Sequence, residues 1–137
     1  MSAESPLEET IAIEGERDIV TARQRGRELA KVIGFAGTEQ TLIATAISEV
    51  ARNIVAYAER GQIIISVAHD GLRRGILVVA RDDGPGIADV ALAMRDGYST
   101  GKSLGLGLPG ARRLMDDLEV ESAPGRGTTV TMRKWAR

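Results

Sequence analysis

The sequence contains no cysteine, which excludes disulfide bonds and thiolate metal sites and fits a reducing compartment. Aromatic residues are also scarce: they make up 3% of the 137 residues, against 43% for hydrophobic residues as a whole. A single domain of this length can bury a proper core. We expect that core to be aliphatic.

No charge of one sign dominates, because 18 Lys and Arg face 19 Asp and Glu. This balance argues against a general attraction to nucleic acid or to anionic lipid. No apolar stretch approaches the roughly 20 residues that cross a bilayer. Residues 1–9 are acidic and polar, without the basic and apolar regions of a signal peptide. We therefore expect a cytoplasmic protein that binds neither nucleic acid nor membranes.

Hydrophobic periodicity predicts one domain over residues 10–137, preceded by an N-terminal tail over residues 1–9. The expected strands are 10–14, 62–68, 75–80, 118–122 and 128–135, and the expected helices are 17–33, 38–59, 89–95 and about 106–117. The aliphatic run 75–80 is typical of a central strand that is buried on both faces. This order predicts an α+β two-layer sandwich, in which helices cover one face of a mixed, mostly antiparallel sheet.

Two glycine patterns within residues 82–110 resemble nucleotide-binding motifs but fail on context. Residues 105–110 match GxGxxG, yet a polar loop precedes them where a dinucleotide fingerprint needs a hydrophobic strand. Residues 97–103 resemble a P-loop, but three residues instead of four separate the first glycine from Gly-Lys. The segment nevertheless holds seven glycines, each of which costs entropy when ordered. This density favours an anion site at the start of the following helix over an ordinary surface loop.

Glu49 and Asn53 lie four residues apart, so they share one face of the second predicted helix. They stand at the margin of its apolar arc, whereas Thr45, Ser48 and Arg52 are expected on the solvent side. One interpretation is an amphipathic helix with a polar edge. The functional interpretation is that Asn53 offers a hard oxygen to Mg²⁺ while Glu49 accepts a proton from an attacking hydroxyl. It requires this helix to pack beside the glycine-rich segment.

Asp82, Gly84 and Gly86 follow directly after the buried strand. An aspartate at this position can accept a hydrogen bond from an exocyclic amine, and the glycines let the backbone approach a flat base closely. The same Asp-Gly-Pro-Gly sequence also suits an ordinary turn at the end of a strand. Taken alone, this segment leaves both interpretations open.

Four segments, in this order, resemble the motifs of the GHKL ATPase superfamily, whose domains have the Bergerat nucleotide-binding fold. The N box is matched by Glu49-xxx-Asn53, and the three glycine boxes by Asp82-x-Gly84-x-Gly86, Gly105-x-Gly107 and Gly125-Arg-Gly127-Thr128. The resemblance covers the chain from about residue 10 to its end. Within the superfamily, segments 17–24, 45–54 and 105–117 are similar to the anti-sigma-factor serine/threonine kinase branch, above all to its stressosome switch kinases.

The resemblance implies ATP and Mg²⁺ as cofactors and a role for each matching residue. Asp82 would hold adenine, Asn53 would bind Mg²⁺ and Thr128 would help to close the adenine pocket, with residues 87–104 as a lid. Lys102 is a candidate phosphate ligand or a solvated lysine of the lid. The phosphates would be cradled by helix amides in the stretch Gly105, Leu106, Gly107 and Leu108.

The resemblance also implies a protein kinase, in which we expect Glu49 to align or deprotonate the acceptor hydroxyl. Its substrates would be serine or threonine residues of STAS-domain scaffold proteins, and its second partner a phosphatase that the released kinase activates. The sole histidine, His69, follows the Glu49 helix, whereas a histidine kinase module needs its phosphorylated histidine on a preceding helix. The acceptor is therefore expected on another protein. Two alternatives stay open, namely an anti-sigma factor that sequesters a sigma subunit, and a plain ATPase or detached sensor-kinase domain.

Overall fold

The computed structural model describes residues 8–86, residue 94 and residues 107–136. Its elements in chain order are β1 (Glu9–Ile13), α1 (Glu16–Ile33), α2 (Gly37–Tyr57), β2 (Gly61–Asp70), β3 (Arg73–Asp82), α3 (Gly107–Leu114), β4 (Asp117–Ser122) and β5 (Thr128–Trp135). Every predicted strand and the three longer predicted helices are present. The short helix predicted over residues 89–95 lies outside the described residues, apart from Met94.

The five strands form one sheet in the order β1-β2-β3-β5-β4. All four pairings among these strands are antiparallel. Side chains alternate between the two faces of a strand, so the register decides which residues share a face. Ile65, Val78 and Met132 stand opposite one another across three neighbouring strands, and all three are fully buried. The helices pack against this face, which confirms the expected α+β sandwich.

The opposite face of the sheet is not covered by the described helices. Leu77 and Val79 alternate with the buried residues Ile76, Val78 and Ala80 along β3, and they are only partly buried. The prediction that this strand is buried on both faces was therefore wrong. The strand is central in the sheet, since it lies between β2 and β5. In a two-layer sandwich, however, helices cover only one face of the sheet, so a central strand is buried on that face alone.

The helices contribute their apolar stripes to the same core. α1 ends where the sequence predicted, at Gly34, which adopts a left-handed conformation (φ 116°) and donates its N–H to the Ala30 carbonyl. α1 packs along α2 with Gly26 against the side chain of Ile47. α2 in turn packs along α3. None of the described helices combines the length and the hydropathy that a bilayer crossing requires.

Candidate active site

The two predicted residues of α2 lie where this helix meets α3. Glu49 is buried, with 6% of its surface exposed, and Asn53 is half-buried one turn further on. One carboxylate oxygen of Glu49, Oε1, accepts a hydrogen bond of 3.0 Å from the backbone N–H of Gly107. Gly107 is the first residue of α3, so α2 does pack beside the end of the glycine-rich segment. The functional interpretation required α2 to pack beside the glycine-rich segment, and it does so at Gly107.

The second carboxylate oxygen of Glu49, Oε2, accepts a hydrogen bond of 2.9 Å from the guanidinium of Arg52. Arg52 is half-buried, and Ser48 is buried, with its hydroxyl donating to the Ala44 carbonyl at 3.0 Å. The expectation that Ser48 faces solvent was therefore wrong. α2 packs against α1, α3 and the sheet, so more of its circumference is covered than one apolar stripe indicates.

Asp82 ends β3 on the face of the sheet that carries the helices. Its Oδ1 accepts a hydrogen bond of 2.8 Å from the N–H of Gly84. Burial raises the pKa of Asp82 above its ordinary value, while the backbone N–H groups of Gly84 and Thr128 oppose this rise. The nearby charge of Asp83 raises the pKa further. The second oxygen of this carboxylate can still accept a hydrogen bond from a ligand, because an ionised carboxylate has about four lone-pair sites.

The loop after Asp82 is closely packed on both sides. Gly84 lies against the end of α2, so a Cβ at this position would come within 2.6 Å of the Ala58 Cβ. Gly86 has φ 80°, and a Cβ there would overlap the carbonyl oxygen of Ala123. The N–H of Gly125 donates to the Pro85 carbonyl at 2.7 Å. The first predicted glycine box is thus held against the third.

Thr128 begins β5 and stands opposite Asp82 in the pairing of β3 with β5. Its hydroxyl forms a hydrogen bond of 2.8 Å with the hydroxyl of Ser122. The Ser122 hydroxyl donates its proton to the Gly127 carbonyl at 2.8 Å. The preceding residue, Gly127, is buried and has φ 77°, and a Cβ there would overlap the carbonyl oxygen of Asp82. The structure therefore brings Asp82 and Thr128 together, as the motifs predicted.

The start of α3 is the last predicted component within the described residues. Leu108 is buried in the core, and Pro109 follows it without an N–H group. At the other end of this helix, the buried Lys134 donates from Nζ to the Leu114 carbonyl at 3.0 Å. Lys102, Gly105 and Leu106, and the proposed lid over residues 87–104 except Met94, lie outside the described residues.

Two residues of this region were not singled out from the sequence. Arg52 was placed on the solvent side of its helix, and its contact with Glu49 depends on an i, i+3 spacing that the sequence does show. Lys134 continues the alternation of Val130 and Met132 along β5, which puts it on the buried face. That alternation was the available signal for a buried lysine.

The donor groups fit a magnesium ion that is held mainly by a nucleotide. Among the described residues, no three His, Cys, Asp or Glu side chains come close enough to form a metal site on their own. Mg²⁺ commonly takes one or two protein oxygens and completes its shell with phosphate oxygens and water. The half-buried amide of Asn53, one turn from Glu49, can supply such an oxygen. Together with Asp82, these groups can recognise an amine at one end of a ligand and anionic groups at the other.

Comparison with known proteins agrees with this arrangement. Residues 38–136 match the family described as histidine kinase-, DNA gyrase B-, and HSP90-like ATPase. The chain is 49% identical over 127 residues to the serine/threonine-protein kinase RsbT of Bacillus subtilis (strain 168), across 93% of this chain and 96% of that one. It is 38% identical over 97 residues to an anti-sigma F factor of Caldanaerobacter subterraneus subsp. tengcongensis, across 68% of each chain.

A solved structure shows the same fold. The crystal structure of the RsbU and RsbW domains of a Mycobacterium tuberculosis protein matches with a TM-score of 0.68 at 21% identity. The match covers 98% of this chain and 34% of the length of that one. The similarity is not limited to the fold. The family match over residues 38–136 and the 49% identity to RsbT are similarities of sequence. The chain therefore belongs to the histidine kinase-, DNA gyrase B- and HSP90-like ATPase family, and within it to the group that includes RsbT.

Proposed function

We propose that this protein is a serine/threonine kinase, which transfers the γ-phosphoryl group of ATP to a hydroxyl group on another protein. The observation that carries the proposal is the buried carboxylate of Glu49, which lies at the N-terminus of α3. A helix N-terminus attracts anions, so this carboxylate stands beside a place suited to phosphate. The identity of 49% to a protein named as a serine/threonine kinase supports the same assignment.

The order of residues along α2 matches the order of groups in a nucleoside triphosphate. Glu49 lies at the phosphate end, Asn53 follows one turn later, and Ala58 contacts the Gly84 loop next to Asp82. Ala58, the residue directly after α2, lies nine positions beyond Glu49, which corresponds to about 14 Å along a helix. The γ-phosphate, the metal-binding phosphates and the base would then lie side by side along this helix.

At the base end, Asp82 accepts a hydrogen bond from the exocyclic amine of adenine. Because Gly84 has no side chain and lies close to the end of α2, a flat base can lie directly against the backbone at this position. Thr128 stands opposite Asp82 and closes this end of the pocket. The roles of Gly84, Gly86 and Thr128 are therefore to shape the pocket around the carboxylate.

At the phosphate end, backbone amides at the start of α3 hold the anionic oxygens. The N–H of Gly107 is engaged by Glu49, and Pro109 has none, so Leu108 is the neighbouring donor within the described residues. Gly105, Leu106 and Lys102 complete this set in our proposal. Asn53 would hold Mg²⁺, which would neutralise charge on the phosphates when bound.

Glu49 acts on the acceptor protein. As the hydroxyl oxygen of the acceptor serine or threonine bonds to the γ-phosphorus, Glu49 takes its proton, and the bond between the γ-phosphorus and the bridging oxygen of ADP breaks. The products are ADP and a phosphoprotein. The carboxylate has lone pairs to spare for this proton, although Gly107 and Arg52 already donate to it. A general base typically contributes ~10²–10⁴-fold to the rate.

The proposed acceptors are STAS-domain proteins in the cytoplasm, and the proposed second partner is a phosphatase that the released kinase activates. The relative named anti-sigma F factor suggests a second candidate function, in which the protein sequesters a sigma subunit. Affinity capture with Mg-ATP distinguishes the two. Recovery of STAS-domain or phosphatase proteins supports the kinase proposal, and recovery of a sigma factor supports the alternative.

Replacing Glu49 by Gln tests the catalytic assignment directly. The variant keeps an oxygen for the Gly107 N–H but cannot accept the proton, so phosphate transfer should fall by about 100-fold or more. ATP affinity should stay the same, because the residues proposed to bind adenine are unchanged. Phosphate transfer is followed by phosphosite mass spectrometry with Mg-ATP and candidate STAS proteins. Glu28→Gln, at an exposed position of α1, is the matched control. Transfer by Glu49→Gln at the rate of this control would remove Glu49 from the mechanism.

A further inference from the structure

Two ion pairs with the same i, i+3 spacing differ sharply in their surroundings. Arg73 and Asp70 form a pair at the β2–β3 hairpin, where both side chains are more than half exposed. Arg52 and Glu49 form the other pair, in which the side chains are 31% and 7% exposed. An exposed pair contributes little because water screens it, whereas a carboxylate that has lost its water depends on the groups that replace it.

The two oxygens of the Glu49 carboxylate have different partners on different elements. Oε1 receives the Gly107 N–H from α3, and Oε2 receives the Arg52 guanidinium from α2 itself. One hydrogen bond alone would let the carboxylate group rotate about its bond to Cγ. Two donors on opposite oxygens fix both the plane of the group and its distance from α3. Rotation is the motion that would turn the proton-accepting lone pairs away from the phosphate end of the site.

Arg52 also places a positive charge against this carboxylate, at a distance of 2.9 Å. A guanidinium keeps its positive charge throughout the physiological pH range. Only the ionised carboxylate can take a proton from an acceptor hydroxyl.

We propose that Arg52 is a positioning residue for the transfer reaction, which holds Glu49 in the orientation needed to accept a proton. This inference rests on the proposed function of Glu49 as the base. In this proposal Arg52 does not contact the adenine end of the nucleotide. That end is recognised by Asp82, the last residue of β3. The expected consequence is an effect on turnover without a matching effect on ATP binding.

The test compares Arg52→Met, Arg52→Lys and the wild type, with Arg73→Met as the matched control for loss of an i, i+3 pair. In Arg52→Met, kcat for phosphate transfer should fall roughly 10- to 100-fold, the size expected when a reacting group is misplaced. KM for ATP should stay unchanged. Arg52→Lys should recover part of kcat, because it restores the charge but not the fork of donors. Arg73→Met should behave as wild type. Each variant is first checked for folding by circular dichroism.

Two kinetic results would overturn the proposal. One is a kcat of Arg52→Met equal to that of Arg73→Met. The other is a rise in KM for ATP that accounts for the whole loss, since it would make Arg52 a nucleotide ligand. A readout without catalysis separates this inference from the kinase proposal, namely hydrogen exchange of the Gly107 amide measured by NMR. Faster exchange at Gly107 in Arg52→Met supports positioning, and an unchanged rate refutes it, even if the wild type transfers no phosphate to any acceptor.

Discussion

Replacing Asp82 by Asn should separate nucleotide binding from fold stability. The Oδ1 atom of Asp82 accepts the N–H of Gly84 at 2.8 Å, and Asn keeps an oxygen for this bond. The NH₂ group of Asn then stands where the second carboxylate oxygen was. That group is a donor, and so is the exocyclic amine of adenine. The variant therefore replaces an attractive contact with two donors that face each other.

The size of the binding effect follows from the charge of the lost acceptor. A hydrogen bond to a charged group contributes about 1.5–3 kcal/mol. Since about 1.4 kcal/mol corresponds to a factor of ten in affinity, the dissociation constant for ATP should rise roughly 10- to 150-fold. The free protein should respond differently, because the same carboxylate is unfavourable for folding.

The sign of the stability effect comes from the pKa of Asp82. Burial raises this pKa above the ordinary value of 3.8, so the folded protein keeps its proton to higher pH than the unfolded chain. Stability then falls as the pH rises from 3.8 through the raised pKa, and the cost is complete above it. Asn carries no charge at any pH. Asp82→Asn should therefore be at least as stable as the wild type at neutral pH, and this advantage should disappear below pH 3.8.

Two measurements check these expectations. Isothermal titration calorimetry with Mg-ATP gives the affinity, and thermal unfolding across the acidic range gives the stability of the free protein. Asp83→Asn serves as the control, because it removes the exposed neighbouring carboxylate and should leave ATP affinity unchanged. An unchanged ATP affinity in Asp82→Asn would refute the role of this residue in base recognition. A melting temperature below that of the wild type at neutral pH would refute the argument from burial.

Two further pairs of substitutions test the packing that supports the site. Gly127→Ala should lose at least about 1 kcal/mol through its positive φ and should also weaken ATP binding, because the new Cβ overlaps the carbonyl oxygen of Asp82. Gly125→Ala has the same φ of 77° in open space, so it should lose stability in urea unfolding but keep its ATP affinity; equal affinities in the two variants would contradict the argument. Ile47→Ala, at a fully buried position of α2, should cost about 3 kcal/mol in urea unfolding, whereas Leu72→Ser at the exposed hairpin turn should be neutral, and similar losses in both would refute the assigned core.

The sequence predicted the fold best where side-chain burial sets the structure. The apolar spacing of α1 and the glycine after it located that helix to within a residue of its ends. The ends of β2 and β3 were harder. Both strands continue past the predicted limits at residues 68 and 75, because their ladder extends to the pair of Asp70 with Arg73. Backbone hydrogen bonds between polar residues cannot be recognised in a hydrophobic pattern. The turn between the two strands therefore consists of Gly71 and Leu72, and the residues on either side of it are paired.

The site was predictable as a set of neighbours and unpredictable in its contacts. Motif order indicated that Glu49 lies near the glycine-rich segment, and the structure joins it to Gly107 across 58 residues of sequence. A helical wheel, however, describes one helix against one buried surface. It placed Arg52 and Ser48 on the solvent side because the position of α3 cannot be read from the spacing of residues within α2. The importance of the pair of Arg52 and Glu49 becomes apparent only in the structure, where α3 covers the carboxylate.

Charge explains why that pairing matters for a kinase site. The proposed mechanism needs an ionised carboxylate close to the phosphates of ATP, and like charges at short range disfavour each other. The N-terminus of α3 supplies the equivalent of about half a positive charge. That is too little to offset both a carboxylate and a phosphate group. Arg52 adds a full positive charge at 2.9 Å from Glu49, so the helix terminus does not have to offset the carboxylate alone and can be shared with a phosphate. A carboxylate in this position can thus serve as the base only together with this cation.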